Sequence, residues 1–219
     1  MKRIVLSVIV VISLSLSSMV WAGDQGVETN VDGLVIYRAN FIHLDGGESF
    51  VSYDLNSYFL VNKKYGLGLD ATSCPEDDYA KLKPFATIRV AEGLDLVSGL
   101  STNSAGADYV HAGVWYFGPV AGQVKVFLDP RFYFKASDEA SNYFDGLAEI
   151  SYPLDERFTL AFDLVYDHWW ENGADWVLAG PVLYYKVNES TSIFVRAARE
   201  TNFEGEEGTD IRLAVRWTF

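Results

Sequence analysis

Residues Ile211 to Phe219 alternate without a break: Ile211, Leu213, Val215, Trp217 and Phe219 fall on one face of an extended strand, and Arg212, Ala214, Arg216 and Thr218 on the other. Few patterns restrict a fold more. An isolated strand of this kind would offer water an unpaired edge and a row of apolar side chains, both of which promote aggregation. A sheet closed on itself within lipid removes both problems, because every backbone group bonds between strands and acyl chains solvate the outer face. The expectation is a closed sheet with its apolar face outward.

The other end of the sequence agrees. Lys2 and Arg3 precede an apolar run from Ile4 to Leu16, and Val20-Trp21-Ala22 suits a signal peptidase, so residues 1–22 are expected to be a cleaved leader and residues 23–219 a single domain. The apolar run is shorter than the roughly 20 residues of a spanning helix. No later stretch is long enough to replace it, so any crossing of a membrane must be made by strands. The remaining 197 residues suffice for one closed sheet. The 13 Tyr and 14 Phe fit a barrel, which gathers aromatic rings at both membrane interfaces. Loss of Lys2 and Arg3 takes the net charge from −13 to near −15, which argues against nucleic acid, whose phosphates require a basic footprint. Cys74 is the only cysteine, in what reads as the loop 72–78; no internal disulfide can form, and sheet closure must supply the stability.

From Asp32 onward one theme repeats, about ten residues of alternating polarity and then a short break rich in Gly, Pro, Asn, Asp or Ser. Strands are expected near 33–43, 50–61, 65–72, 81–91, 94–100, 108–117, 122–134, 142–152, 157–168, 175–187, 191–200 and 209–219. Twelve is an even number, as a single-chain barrel with both ends on one side requires. Two short strands within 65–107 could merge with neighbours, which makes ten the alternative. Tight connections at Asn62-Lys63-Lys64, Glu92-Gly93, Gly118–Ala121, Pro153–Glu156 and Asn188–Ser190 suit periplasmic turns. More acidic ones, such as Glu76-Asp77-Asp78, Asp138-Glu139 and Glu204–Gly208, suit outer loops of about six to ten residues. Phe158, Leu160, Phe162, Leu164 and Tyr166 share a face that would serve lipid or the core of a soluble β-sandwich equally well. The leader, the terminal strand and the even count together favour an all-β, transmembrane, antiparallel up-and-down barrel.

With apolar faces outward, the opposite faces define a lumen. They carry Arg38 and Asn40; Ser52, Asp54, Asn56 and Tyr58; Arg89; Gln123, Lys125, Asp129, Arg131 and Tyr133; Asp145 and Glu149; Asp163 and Asp167; Lys186; Arg196; and Arg212 and Arg216. The charges segregate. Arg38, Arg196, Arg212 and Arg216 lie on three consecutive strands once the last pairs with the first, and Asp145, Glu149, Asp163 and Asp167 on another adjacent pair. Two such walls set a transverse field across a narrow channel. The alternative is that the same side chains interlock and fill the interior.

The terminal strand, Ile211 to Phe219, resembles that of bacterial outer-membrane β-barrel proteins, where alternating hydrophobic positions ending in Phe mark the chain for insertion. Twelve strands in about 200 residues are similar to the small monomeric porins for acidic sugars, such as the oligogalacturonate-specific and sialic-acid-specific channels. The resemblance implies an outer-membrane location, a monomer surrounded by lipid and lipopolysaccharide, and insertion by the barrel-assembly machinery with periplasmic chaperones. It also implies an arginine-lined pore, with Arg38, Arg196, Arg212 and Arg216 in that part and no cofactor. The acidic wall departs from the pattern and bears on anion selectivity.

Other classes find less support. A lipid-modifying barrel enzyme needs His paired with Ser, Asn or Asp at the rim or lipid face, and the chain has only His43, His111 and His168. His43 can meet Asp45 at the outer rim, but neither His43 nor His168 stands beside an evident nucleophile in the sequence, and G-x-S-x-G is absent. His168, followed by Trp169 and Trp170, fits an interfacial belt, and His111 a lumen or core position. No zinc spacing and no calcium-loop motif occur. Glu204, Glu206 and Glu207 fit a solvated loop better than a bridge to lipopolysaccharide through divalent cations. A closed barrel acting through its loops is the remaining class. The reading is a small channel for passive diffusion of small polar or charged solutes, not an enzyme.

Overall fold

The computed structural model describes residues 31–219, which form a closed antiparallel barrel of twelve strands without a helix among them. The expected leader lies outside the described residues. The strands are β1 (Val31–Leu44), β2 (Ser49–Val61), β3 (Tyr65–Cys74), β4 (Tyr79–Ala91), β5 (Leu94–Asn103), β6 (Asp108–Ala121), β7 (Val124–Lys135), β8 (Tyr143–Pro153), β9 (Phe158–Trp169), β10 (Asp175–Lys186), β11 (Thr191–Thr201) and β12 (Glu207–Thr218). Each pairs with its neighbours in the chain, and β1 pairs with β12 to close the ring.

Twelve strands therefore stand, and the ten-strand alternative does not. The strands within 65–107 run longer than expected, because pairing continues through Cys74↔Tyr79 and Leu82↔Thr102. Two expectations are corrected by that lengthening. The outer loops span only residues 45–48, 75–78, 104–107, 136–142, 170–174 and 202–206, shorter than six to ten residues in all but one case. Cys74 is the last residue of β3 rather than part of a loop, and its buried thiol donates to the Asp77 carboxylate at 3.2 Å. Gln123 lies in the β6–β7 turn rather than on a strand face.

Local chemistry explains the tight end. Asn62 and Lys63 both take positive φ, 52° and 56°, and Lys64 N–H bonds to Val61 C=O at 3.2 Å. That is the two-residue turn whose twist matches a hairpin, with Asn where a left-handed backbone is least costly. Gly93, at φ 69°, is required twice over, since a Cβ there would stand 2.2 Å from the Phe117 carbonyl oxygen. Closure depends on Gly33 and Phe219. Gly33 N–H bonds to Phe219 C=O at 2.7 Å, Phe219 N–H returns a bond at 3.1 Å, and the Phe219 ring folds over Gly33 toward Phe59.

The outward face bears the alternation read from the sequence. Leu67, Leu100, Val110, Ile150, Leu160, Phe162, Leu164, Val195, Ile211 and Leu213 all stand exposed on it. A continuous apolar band of this kind is covered by acyl chains and is intolerable in water. Aromatic clusters edge the band: Phe132, Phe134 and Trp170 toward the loop end, and Phe158 with Tyr185 toward the turn end.

Candidate functional site: the lumen and its mouth

Strand parity places Arg38, Arg196, Arg212 and Arg216, and likewise Asp145, Glu149, Asp163 and Asp167, on the inner face, but the two walls do not stand apart. Arg196, 1% exposed, donates to Asp210 Oδ2 at 2.6 Å and reaches Asp163 Oδ2 at 3.5 Å. It does so across β10, where the residue paired with Asp163 is Gly180. Arg212 donates to Asn40, which in turn donates to Ser52 at 3.0 Å and to Asp54 at 2.8 Å. Arg38 faces Asp54 across the β1–β2 pair. Around the wall the contacts continue through Asn56 and Asp70, at 2.7 Å, to Lys83, 3.9 Å from Asp70, and from Asp70 on β3 across the lumen to Arg131 on β7, also at 3.9 Å. Arg131 holds Asp129 in a two-point contact at 2.7 and 2.8 Å. The result is a polar belt in which Arg196, Arg131 and Lys83 each meet a carboxylate, as a low-dielectric interior favours.

Two sets of side chains also cross the interior. Tyr58 of β2, Phe85 of β4 and Trp115 of β6 cluster with ring centroids 5.1 to 6.3 Å apart, and the Arg131 guanidinium caps Phe85 and Trp115 at 5.1 and 5.4 Å. Lys81 of β4 donates to the Tyr143 hydroxyl of β8 at 3.2 Å, and Tyr143 stacks on Tyr133 with centroids 4.3 Å apart. β2 and β6, like β4 and β8, are four strands apart in a ring of twelve, so these contacts bridge the lumen rather than line it. His111, expected in the lumen or core, is fully buried here and packs on Tyr133. The acidic wall has its own irregularity: Asp145 pairs directly with Asp167, and Glu149 with Asp163, so like charges stand opposite each other. Lys81 and Lys83 on β4, Arg196 and Arg216 are the cations set against them.

At the turn end the lumen opens into a cavity of about 350 Å³. Lys125, Arg157, Lys186 and Arg216 line it together with the carboxylates Glu149, Glu156 and Glu189 and the rings of Phe117 and Tyr184. Tyr184 donates its hydroxyl to Glu149. Among the described residues, Lys125, Lys186 and Arg216 form no ion pair within 4.0 Å, in contrast to the neutralised belt deeper in. Sequence reasoning placed Lys125, Lys186 and Arg216 on the inner face but had no means to show that they meet.

The outer rim supplies a pairing that the sequence did not disclose. His43 faces outward on β1 and turns to Ser49 rather than Asp45, its Nδ1 2.8 Å from Ser49 Oγ across the β1–β2 hairpin. Asp45 is taken by Arg199 at 3.1 Å. His168 lies outward near the loop end, bound to Asp175 at 2.8 Å and beside Tyr166, in keeping with an interfacial position. Glu204, Glu206 and Glu207 lie in or at the edge of the β11–β12 loop, with Glu207 on Arg199 at 2.7 Å and Glu206 on Asn202 at 3.0 Å. No group of three or more His, Cys, Asp or Glu suited to a metal ion occurs among the described residues.

No protein-family model and no curated protein sequence matches the chain. Solved structures do. The KdgM porin in complex with disordered oligogalacturonate superposes with a TM-score of 0.65 at 16% identity, over 85% of this chain and 99% of that one. The NanC porin gives 0.62 at 10% identity, over 84% and 98%. Outer membrane phospholipase A from Escherichia coli gives 0.51 at 12% identity, over 84% and 89%. At these identities the likeness is one of architecture: the chain has the barrel fold of the KdgM and NanC porins.

Proposed function

We propose that the protein is an outer-membrane channel through which small polar or charged solutes diffuse, with the turn-end cavity as its selective mouth. The observation that carries this reading is an open cavity at the turn end in which four cations, Lys125, Arg157, Lys186 and Arg216, outnumber three carboxylates, Glu149, Glu156 and Glu189. An excess of guanidinium and ammonium groups at a channel mouth attracts anions and retards cations. Beyond the mouth, the neutralised belt sieves by size and hydrogen bonding. The shared fold with the KdgM and NanC porins supports the reading. On this proposal residues 1–22 are removed after Ala22 during export. The barrel-assembly machinery and periplasmic chaperones insert the barrel, and lipopolysaccharide surrounds its loop end. Diffusion of this kind needs no cofactor.

Single-channel recording in a planar bilayer under a salt gradient tests it. Discrete conductance steps with an anion-favouring reversal potential are expected, and Arg212→Ala with Arg216→Ala moves that potential toward cations. A reversal potential unchanged by the double substitution removes those arginines from the pathway. The contacts Lys81–Tyr143 and Arg131–Asp70, which cross the lumen, favour a second reading, a filled barrel acting through its surface. A silent bilayer with folded protein selects it.

A further inference from the structure

His43 and Ser49 belong to no part of the channel. They stand directly opposite each other at the loop end of β1 and β2, on the outward face, with imidazole and hydroxyl in hydrogen-bond contact at 2.8 Å. Both side chains are exposed. They border a groove of about 310 Å³ whose further lining includes Phe41, Val51, Ile211 and Glu76. The three apolar residues are outward-facing and belong to the band that acyl chains cover. The hydroxyl is thus held where the bilayer meets water, with an apolar trough beneath it. Beside it the loop is open, since no atom lies within 4 Å of where a Cβ on Gly46 or Gly47 would stand.

We infer that Ser49 and His43 form a nucleophile–base pair acting on carboxyl esters of membrane lipids. With the imidazole proton on Nε2, Nδ1 accepts the Ser49 hydroxyl proton as Oγ attacks the ester carbonyl carbon. The tetrahedral adduct collapses, the carbon–oxygen bond to the lipid alcohol breaks, and His43 returns the proton to that alcohol. Water, deprotonated by the same nitrogen, then attacks the acyl-Ser49 ester and releases a fatty acid, restoring Ser49. An acyl chain lies between Phe41, Val51 and Ile211 while its ester reaches the rim. The activity is independent of an open lumen.

The test uses the refolded barrel in phospholipid–detergent mixed micelles with an alkyl fluorophosphonate, which phosphonylates an activated serine hydroxyl far faster than an ordinary one. One adduct is expected, located on Ser49 by tandem mass spectrometry, absent in Ser49→Ala and formed at least about 100-fold more slowly in His43→Ala, as loss of a general base requires. Folding of each variant is verified by heat-dependent mobility on a gel. Folded wild type without an adduct on Ser49, or labelling of Ser49 that His43→Ala leaves unchanged, overturns the proposal. Conductance of Ser49→Ala equal to wild type is expected, so failure of the channel reading and failure of this one are read separately.

Discussion

Arg196 Nη1 lies 3.5 Å from Asp163 Oδ2 although the two residues occupy strands that are not neighbours. The side chain reaches over β10 because Gly180 stands opposite Asp163, and a Cβ at Gly180 would collide with the Ala197 carbonyl oxygen at 2.1 Å. Arg196→Ala takes from Asp163 its ion-pair partner and leaves Asp210 only the longer 4.0 Å contact to Arg212. It is expected to lower unfolding stability by about 3 kcal/mol. Urea titration of the refolded barrel measures this, and Asp210→Asn costs less in the Arg196→Ala background than in the wild type, since the pair is coupled.

The closing pair offers a second prediction. At Gly33 an added Cβ would stand 2.2 Å from the Phe219 ring, which now shields the β1–β12 junction. Gly33→Val displaces the ring from Gly33 and Phe59 and is expected to destabilise the barrel by about 1–3 kcal/mol, as overpacking does. The midpoint of urea unfolding falls while the folded form keeps its gel mobility.

Removing a crossing side chain separates stability from permeation. Tyr143 is buried, stacks on Tyr133 and accepts the Lys81 hydrogen bond. Tyr143→Ala is expected to cost about 3 kcal/mol of stability and yet raise unitary conductance by about twofold, because it opens the bridged side of the lumen. A conductance equal to wild type places the ion path wholly along the other wall.

The turn between β8 and β9 has its own pH signature. Asp155 Oδ1 accepts the backbone N–H groups of Arg157 and Phe158, both at 2.7 Å, and these bonds hold its carboxyl below the ordinary 3.8. A carboxylate with a depressed folded value stabilises the fold fully above the unfolded value, and the contribution is lost as pH falls through the folded one. The stability difference between wild type and Asp155→Ala is therefore constant at pH 5 to 8 and shrinks only as the medium is acidified below about pH 4. Paired urea titrations across that range measure it.

Much of the barrel is legible from alternation alone, because a period of two says which face each residue takes and Gly, Asn and Asp say where strands turn. Ile211 to Phe219 illustrates this: five outward positions, the last of them the closing aromatic, lie where the pattern puts them. Face assignment does not say which side chains meet across a ring. Arg196 reaching Asp163 depends on the missing side chain at Gly180, Lys81 meeting Tyr143 on strands four apart, and Ser49 reaching His43 on the hairpin register. The loops are shorter than alternation implies because residues at Cys74 and Tyr79 continue a ladder whose polarity pattern has already weakened.

The brevity of the outer connections has a further consequence. A loop of four to seven residues must leave one strand and return to the next, so its tip rises or dips by only about 10 Å, half its contour length. None can fold back through the barrel to the belt around Arg196 and Asp210. Among the described residues no loop forms a lid on that side, and traffic through it is governed by what the walls admit.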